Sequence, residues 1–186
     1  MRLLVTREDY FAAAMDLLAT KGSGKLKIAP LCSALKVTTG SFYGYFGSFD
    51  GFVADFLKYW EHAQTERLIQ LTNIPDESTE RVHLLKKLAA QIPHEAEAAI
   101  RSWAHTNPAV AEAQKRVDER RQNILVELFE PIVGSKGEAG KLAVLGMTLL
   151  VGLQQWRSPV TLADYNLLFD ELEEMLYRRV GDRAVS

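Results

Sequence analysis

Leu31-Cys32-Ser33-Ala34-Leu35-Lys36-Val37-Thr38-Thr39-Gly40-Ser41-Phe42-Tyr43-Gly44-Tyr45-Phe46 reads as two short helices around a tight turn. Pro30 opens the first, Pro30–Leu35, because the N–H that proline lacks has no partner in a first helical turn. Thr38 is placed to cap the second, Thr39–Tyr45, by accepting a backbone N–H. Leu31, Leu35, Val37, Phe42 and Phe46 can fill the angle between them, and Cys32 and Ala34 are small enough for close packing. The hydroxyls of Thr38, Thr39 and Ser41 crowd the start of the second helix together with its free N–H groups. That end is suited to an anion.

Helical patterning continues on both sides. Upstream, Thr6 can cap a helix with Glu8 and Asp9 in its first turn, where the helix dipole favours acids. Tyr10, Phe11, Ala14, Leu17 and Leu18 give its apolar stripe and Gly22 stops it. Downstream, a long helix is expected over about Asp50–Leu71, with Phe52, Phe56, Tyr59, Trp60 and Ala63 on its apolar face. Asn73-Ile74-Pro75-Asp76 reads as a loop, and five more helices follow. Their expected spans are Ser78–Gln91, Glu95–His105, Pro108–Ile132, Lys136–Gln155 and Leu162–Val180. Pro93, Pro108, Gly134, Gly137 and Pro159 punctuate them. No sustained period-two pattern or hairpin turn suggests a strand. The expectation is an all-α chain of about nine helices. A three-helix module occupies residues 1–49 and a helical bundle residues 50–186.

Composition limits the function classes. Of 186 residues, 47% are apolar and 25% charged, the balance of a globular domain. Cys32 is the only cysteine, so an internal disulfide and a multi-cysteine zinc site are excluded. His62, His83, His94 and His105 show no metal-ligand spacing. The serines and Cys32 have no visible His/Asp partners, and no glycine-rich phosphate loop is present, so neither enzyme chemistry nor a cofactor is expected. The apolar run from Leu142 to Trp156 is too short and too rich in Gly and Gln for a membrane span. Acidic residues near the start argue against a signal peptide, making the cytoplasm the expected location. Residues 1–50 hold six basic and four acidic side chains within a chain of net charge −2. The cationic end suggests an anionic partner.

The last two helices are unusually apolar. Leu142, Val144, Leu145, Met147, Leu149, Leu150, Val151 and Leu153 leave the first almost no polar face. Leu162, Tyr165, Phe169, Leu172 and Leu176 form a stripe on the second, widened by Leu168 and Met175. Two readings stand: a subunit interface in which the pair meets its copy as a four-helix bundle, or an ordinary core. The interface reading takes Leu149, Leu153, Trp156, Tyr165, Phe169, Leu172 and Leu176 as contacts. Glu97, Arg101 and His105 share a helix face at steps of four. They read as surface ion pairing, as the polar lining of a ligand cavity, or as the carboxylate, base and orienting Arg of an active site. Trp103 and Met147 are candidates for its apolar lining. Arg101, Trp103, His105 and Met147 are thus the effector-pocket residues expected.

At Leu31-Cys32, Leu35-Lys36-Val37, Thr38-Thr39-Gly40, Ser41-Phe42-Tyr43 and Gly44-Tyr45-Phe46, the sequence resembles the TetR family of transcriptional regulators. The match is dense over residues 6–60 and looser beyond, where Glu97–Ala104, Pro108, Val117-Asp118 and Arg120-Arg121 look like family ligand-binding bodies. The resemblance implies an all-α homodimer that binds double-stranded DNA through its first three helices. The fourth helix links to the body, and the last two dimerise. A small molecule in the body releases a near-palindromic operator, which makes the protein a repressor. Helix-turn-helix proteins lay the start of the second motif helix into the major groove. Thr38 caps that helix, Thr39, Gly40 and Ser41 then face base edges, and Tyr43, Tyr45, Lys27 and Lys36 face phosphates. The family usually has a basic residue, a His and a Lys where this chain has Thr39, Tyr45 and Phe49. No basic side chain occurs between Lys36 and Lys58, which lowers affinity and flattens its salt dependence. Lys36 stands where the turn normally has Gly. A left-handed backbone there costs a non-glycine residue about 1 kcal/mol, while its ammonium can return one phosphate contact. The rival reading is a helical small-molecule-binding protein or enzyme on the same scaffold without DNA binding.

Overall fold

The computed structural model describes residues 5–72 and 78–184, with side chains at all of these except 65, 67–72, 78, 79 and 179–184. The expected Asn73–Asp76 loop lies outside the described residues. Among the described residues there are nine α-helices and no strand. They are α1 Arg7–Lys21, α2 Ile28–Leu35, α3 Thr39–Phe46, α4 Phe49–Thr72, α5 Ser78–Ala90, α6 His94–Ala104, α7 Pro108–Val133, α8 Lys136–Trp156 and α9 Leu162–Ala184. None is long and apolar enough to cross a membrane, among the described residues. The chain divides into two compact units. The first is Met1–Ala63 with Pro93–Gln114, and the second is Gln64–Ile92 with Lys115–Ser186.

The first unit is built on aromatic packing. Tyr10, Phe42, Phe52 and Phe56 are fully buried. The Phe42 ring lies 5.8 Å from Tyr10, 5.1 Å from Phe46 and 5.5 Å from Phe52. Edge and tilted contacts at these spacings add to what ring burial already contributes. α1 starts with a reciprocal cap. Thr6 N–H donates to Asp9 Oδ2 at 2.7 Å, and Asp9 N–H donates to Thr6 Oγ1 at 3.2 Å. α2 begins at Ile28, so Pro30 is its third residue rather than its first. The first turn has no intrahelical N–H partners, so proline is harmless there too. α6 belongs to this unit and packs on α1. Its Ala96 and Ile100 are fully buried, and Trp60 Nε1–H donates to the buried Glu97 Oε1 at 2.9 Å. The compact unit that carries the motif is therefore larger than residues 1–49. It keeps α4 as far as Ala63 and takes in Pro93–Gln114.

The turn between α2 and α3 has the strained residue that the sequence suggested. Lys36 sits at φ 55°, ψ 41°, the left-handed region. Its N–H reaches Ser33 O at 3.2 Å and Val37 N–H reaches Cys32 O at 3.0 Å. These bonds close the last carbonyls of α2 and turn the chain.

The second unit packs α5, α8, α9 and the rest of α7 around Phe129, Leu142, Tyr165, Leu172 and Leu176. The Tyr165 and Phe169 rings stack at 4.2 Å with 9° between their planes. A Cβ on Gly146 would come 3.2 Å from Leu172 Cδ2, so this glycine lets α8 and α9 meet closely. The burial pattern corrects the expected interface. Leu153, Tyr165, Phe169, Leu172 and Leu176 are buried within the single chain, and Leu149 is half-buried. Only Trp156, 71% exposed, is available as proposed. The widest apolar stripe of a helix is claimed first by its own core. The exposed large apolar side chains of α8 and α9 are instead Val144, Trp156, Leu162, Leu167 and Met175.

Replacing Lys36 with glycine removes the left-handed penalty and keeps the turn. Lys36→Gly is expected to raise stability by about 1 kcal/mol in urea unfolding. Gly51→Ala is expected to lower it by about 2 kcal/mol, since a Cβ there would run into the Phe46 carbonyl.

Candidate functional site

α3 is placed by what it buries. Phe42 and Phe46 face the aromatic core, so Thr39, Gly40, Tyr43 and Gly44, one face of the helix, are exposed. Thr38 caps it by accepting Ser41 N–H at 3.4 Å. Gly47 ends it at φ 68°. The exposed face carries no charged side chain and only two side chains of any length, Thr39 and Tyr43. No contact explains Gly44, because a Cβ there would meet nothing within 4 Å. A glycine inside a helix costs about 1 kcal/mol relative to alanine.

The structure brings most of the expected DNA-facing residues to this end of the unit. Lys27 is the exposed N-cap residue of α2, Lys36 is exposed in the turn, and Thr38, Thr39 and Gly40 are exposed at the start of α3. Tyr43 is 52% exposed. Ser41 is half-buried, and its Oγ accepts the Tyr10 hydroxyl at 3.3 Å. Tyr45 differs from the expectation. Its hydroxyl donates to Val5 O at 2.6 Å, so its one proton is committed and a phosphate oxygen has nothing to accept from it. Arg7, the first residue of α1, donates to Tyr45 O and pairs with Asp55 at 2.6 Å. Cys32 is buried, its thiol donating weakly to Thr38 O at 3.7 Å, and burial raises its pKa. That is a packing role rather than a reactive one.

A second feature lies wholly within the second unit. A cavity of about 100 Å³ is walled mainly by apolar side chains of α5, α7, α8 and α9. Met147 lines it, as expected. Arg101, Trp103 and His105 do not. Arg101 and Trp103 sit on α6 and His105 caps its end, all in the first unit, where α6 closes the core and Glu97 is the buried partner of Trp60. Spacing along α6 gave the shared face but not what that face meets.

One rim of the cavity is an ionic clasp between α5 and α9. Lys86 Nζ pairs with Asp170 and, at 2.6 Å, with Glu173 Oε2. Tyr177 Oη donates to Glu173 Oε1 at 2.9 Å, and His83 Nδ1 stands 3.4 Å from the same oxygen. Tyr165 Oη donates to the Lys86 carbonyl at 3.1 Å. Burial disfavours the Glu173 charge, but hydrogen bonds from Lys86 and Tyr177 outweigh it and hold its pKa below the ordinary value. Burial likewise opposes the Lys86 charge, and the bonds to Asp170 and Glu173 overcome it, raising its pKa. Burial and the bond to Glu173 push the Tyr177 phenol up to about 12. On the other side, Arg121, also buried, donates through Nη2 to Gln64 Oε1 at 2.7 Å.

No protein-family model matches the chain, and a comparison with curated proteins gave no match. Solved structures do match along nearly the whole length. A TetR transcriptional regulator from Legionella pneumophila superposes with TM-score 0.74 at 14% identity, over 96% of this chain and 98% of that one. A TetR transcription regulator from Haloarcula marismortui gives TM-score 0.70 at 18% identity, over 95% and 96%. The chain has the TetR-regulator fold. A regulator from Saccharomonospora viridis, solved in complex with choline, also shares the TetR-like fold of this chain, with TM-score 0.69 at 16% identity over 94% and 95%. The all-α expectation and the nine helices among the described residues agree with that fold.

The clasp carries a pH prediction. Stability from Glu173 is present above about pH 4.5, its ordinary value, and is lost as pH falls through the lowered folded value. Stability from Lys86 is present below about pH 10.5 and is lost as pH rises through the raised folded value. Lys86→Met is expected to cost about 2 kcal/mol at neutral pH, as breaking one partner of a partly buried pair does, and to make the acid limb of stability against pH shallower. Urea unfolding from pH 3 to 8 measures both.

Proposed function

We propose that this protein is a transcriptional repressor that binds a near-palindromic operator as a homodimer and is released by a small molecule in the cavity of the second unit. The observation that carries the reading is α3. It is a capped eight-residue helix, fixed by Phe42 and Phe46, with Thr39, Gly40 and Tyr43 turned outward. Such a helix, second in a two-helix motif, presents its N-terminal side chains to base edges in the major groove. Thr38, Thr39, Gly40 and Ser41 are assigned to the groove. The Tyr43 hydroxyl, Lys27 and Lys36 are assigned to phosphates, whose contacts position the motif. Tyr45 is reassigned to holding the chain at Val5. Two reading heads then address grooves about 34–36 Å apart.

A second copy is proposed to cover the outer faces of α8 and α9, where Val144, Leu167 and Met175 are exposed. Leucine and valine in solvent on adjacent helices are what a helix-bundle interface buries. A ligand releases the operator only by binding one arrangement of the dimer more tightly than another. The rival reading, a helical binding protein without DNA contact, is favoured by one observation: the exposed face of α3 has no cation.

Selection from random duplex DNA, followed by fluorescence anisotropy, separates the two. The repressor reading expects a recovered palindrome bound saturably, about tenfold more weakly by Tyr43→Phe with an unchanged melting temperature. Recovery of no preferred sequence contradicts it. Leu167→Asp is expected to yield a folded monomer in sedimentation, whereas a dimer that survives this change does not use this face.

A further inference from the structure

We propose that the cavity of the second unit takes a small apolar molecule, an aromatic ring or a short branched hydrocarbon, and rejects organic cations. This deepens the effector reading and rests on it only for the link to DNA. The walls offer hydrocarbon: Val82, Leu85, Ile124, Leu125, Phe129 and Leu150 are among the lining residues. The one acid in the lining, Glu173, is held within the clasp, while Lys86 and Arg121 make the formal charge of the lining positive. Lys86 is held by Asp170 and Glu173. The Tyr165 hydroxyl is donated to the Lys86 carbonyl. Arg121 donates to Gln64. A cationic ligand would meet the like charges of Lys86 and Arg121 and would have to draw Glu173 out of the clasp, which costs more than a surface ion pair returns. An apolar ligand needs none of them to move.

Size points the same way. The cavity volume is about 100 Å³. An apolar protein cavity of roughly 150 Å³ stays dry and accepts benzene. The difference is within reach of Met147, a half-buried lining residue whose unbranched thioether can change rotamer more readily than Leu or Phe. The occupant is therefore about the size of one ring.

The test uses the full chain labelled with ¹³C at the methionine methyls. Its four methionines place Met15 in the first unit and Met147 in the cavity wall. Toluene and choline are titrated separately. The proposal expects toluene to shift the Met147 methyl saturably, with Kd about 1 mM or tighter, and to raise the melting temperature while Met15 stays still. Choline is expected to bind at least tenfold more weakly. Choline that binds as tightly as toluene overturns the proposal, as does toluene that leaves Met147 unmoved. Toluene that binds as expected without changing affinity for the selected duplex supports the ligand class and contradicts the effector role.

Discussion

An eight-residue helix cannot hold itself together in water, because the cost of nucleation exceeds what so few hydrogen bonds return. α3 therefore exists only through Phe42 and Phe46. Burying each ring contributes about 2–3 kcal/mol, and both enter a cluster with Tyr10 and Phe52. Everything at the outer face depends on that anchoring. With positions 42 and 46 inside, positions 39, 40, 43 and 44 must point out. The helix cap at Thr38 and the left-handed Lys36 fix where the exposed face starts.

The same logic explains why this face is electrostatically quiet. Arg7, the cation one might expect to serve a nucleic acid, is drawn to Asp55 and to the end of α3. There it also lies over the Phe46 ring at 5.1 Å. Its charge stabilises the unit rather than a partner. The positive charge near this face is left to Lys27 and Lys36 at the margins of the motif, with Lys25 nearby, all exposed. The proposed reading surface would discriminate by shape, hydroxyls and methyl groups more than by charge, and its affinity would vary gently with salt.

Helices were legible in the sequence because caps and breakers are local. Thr6, Thr38, Gly22 and Gly47 act on their neighbours in the chain, and the element ends fall within a few residues of where those signals place them. The α2 start shifted because proline is tolerated throughout a first turn. What local patterns could not resolve was partnership. On α9 the stripe through Tyr165, Phe169, Leu172 and Leu176 is consistent with either a core or an interface, and the fold uses it as core. The face that runs from Glu97 and Arg101 on α6 to its C-cap residue His105 has the spacing of a binding surface, yet that helix closes the first unit. The cavity drew on five helices, and only Met147 was found beforehand, since cavity walls and core have the same composition. The Lys86–Glu173 clasp joins residues 87 positions apart, which no spacing rule reaches.

The central claim is that α3 and the lysines beside it bind DNA. Its most direct test is the salt dependence of binding to the selected duplex, compared with a Lys27→Gln, Lys36→Gln double variant. Two phosphate contacts in each head of a dimer predict a log–log slope of about −4, falling to near zero in the variant. Saturable binding with that change would establish the interface. A slope unaltered by loss of both lysines, or no binding at low salt, would contradict it.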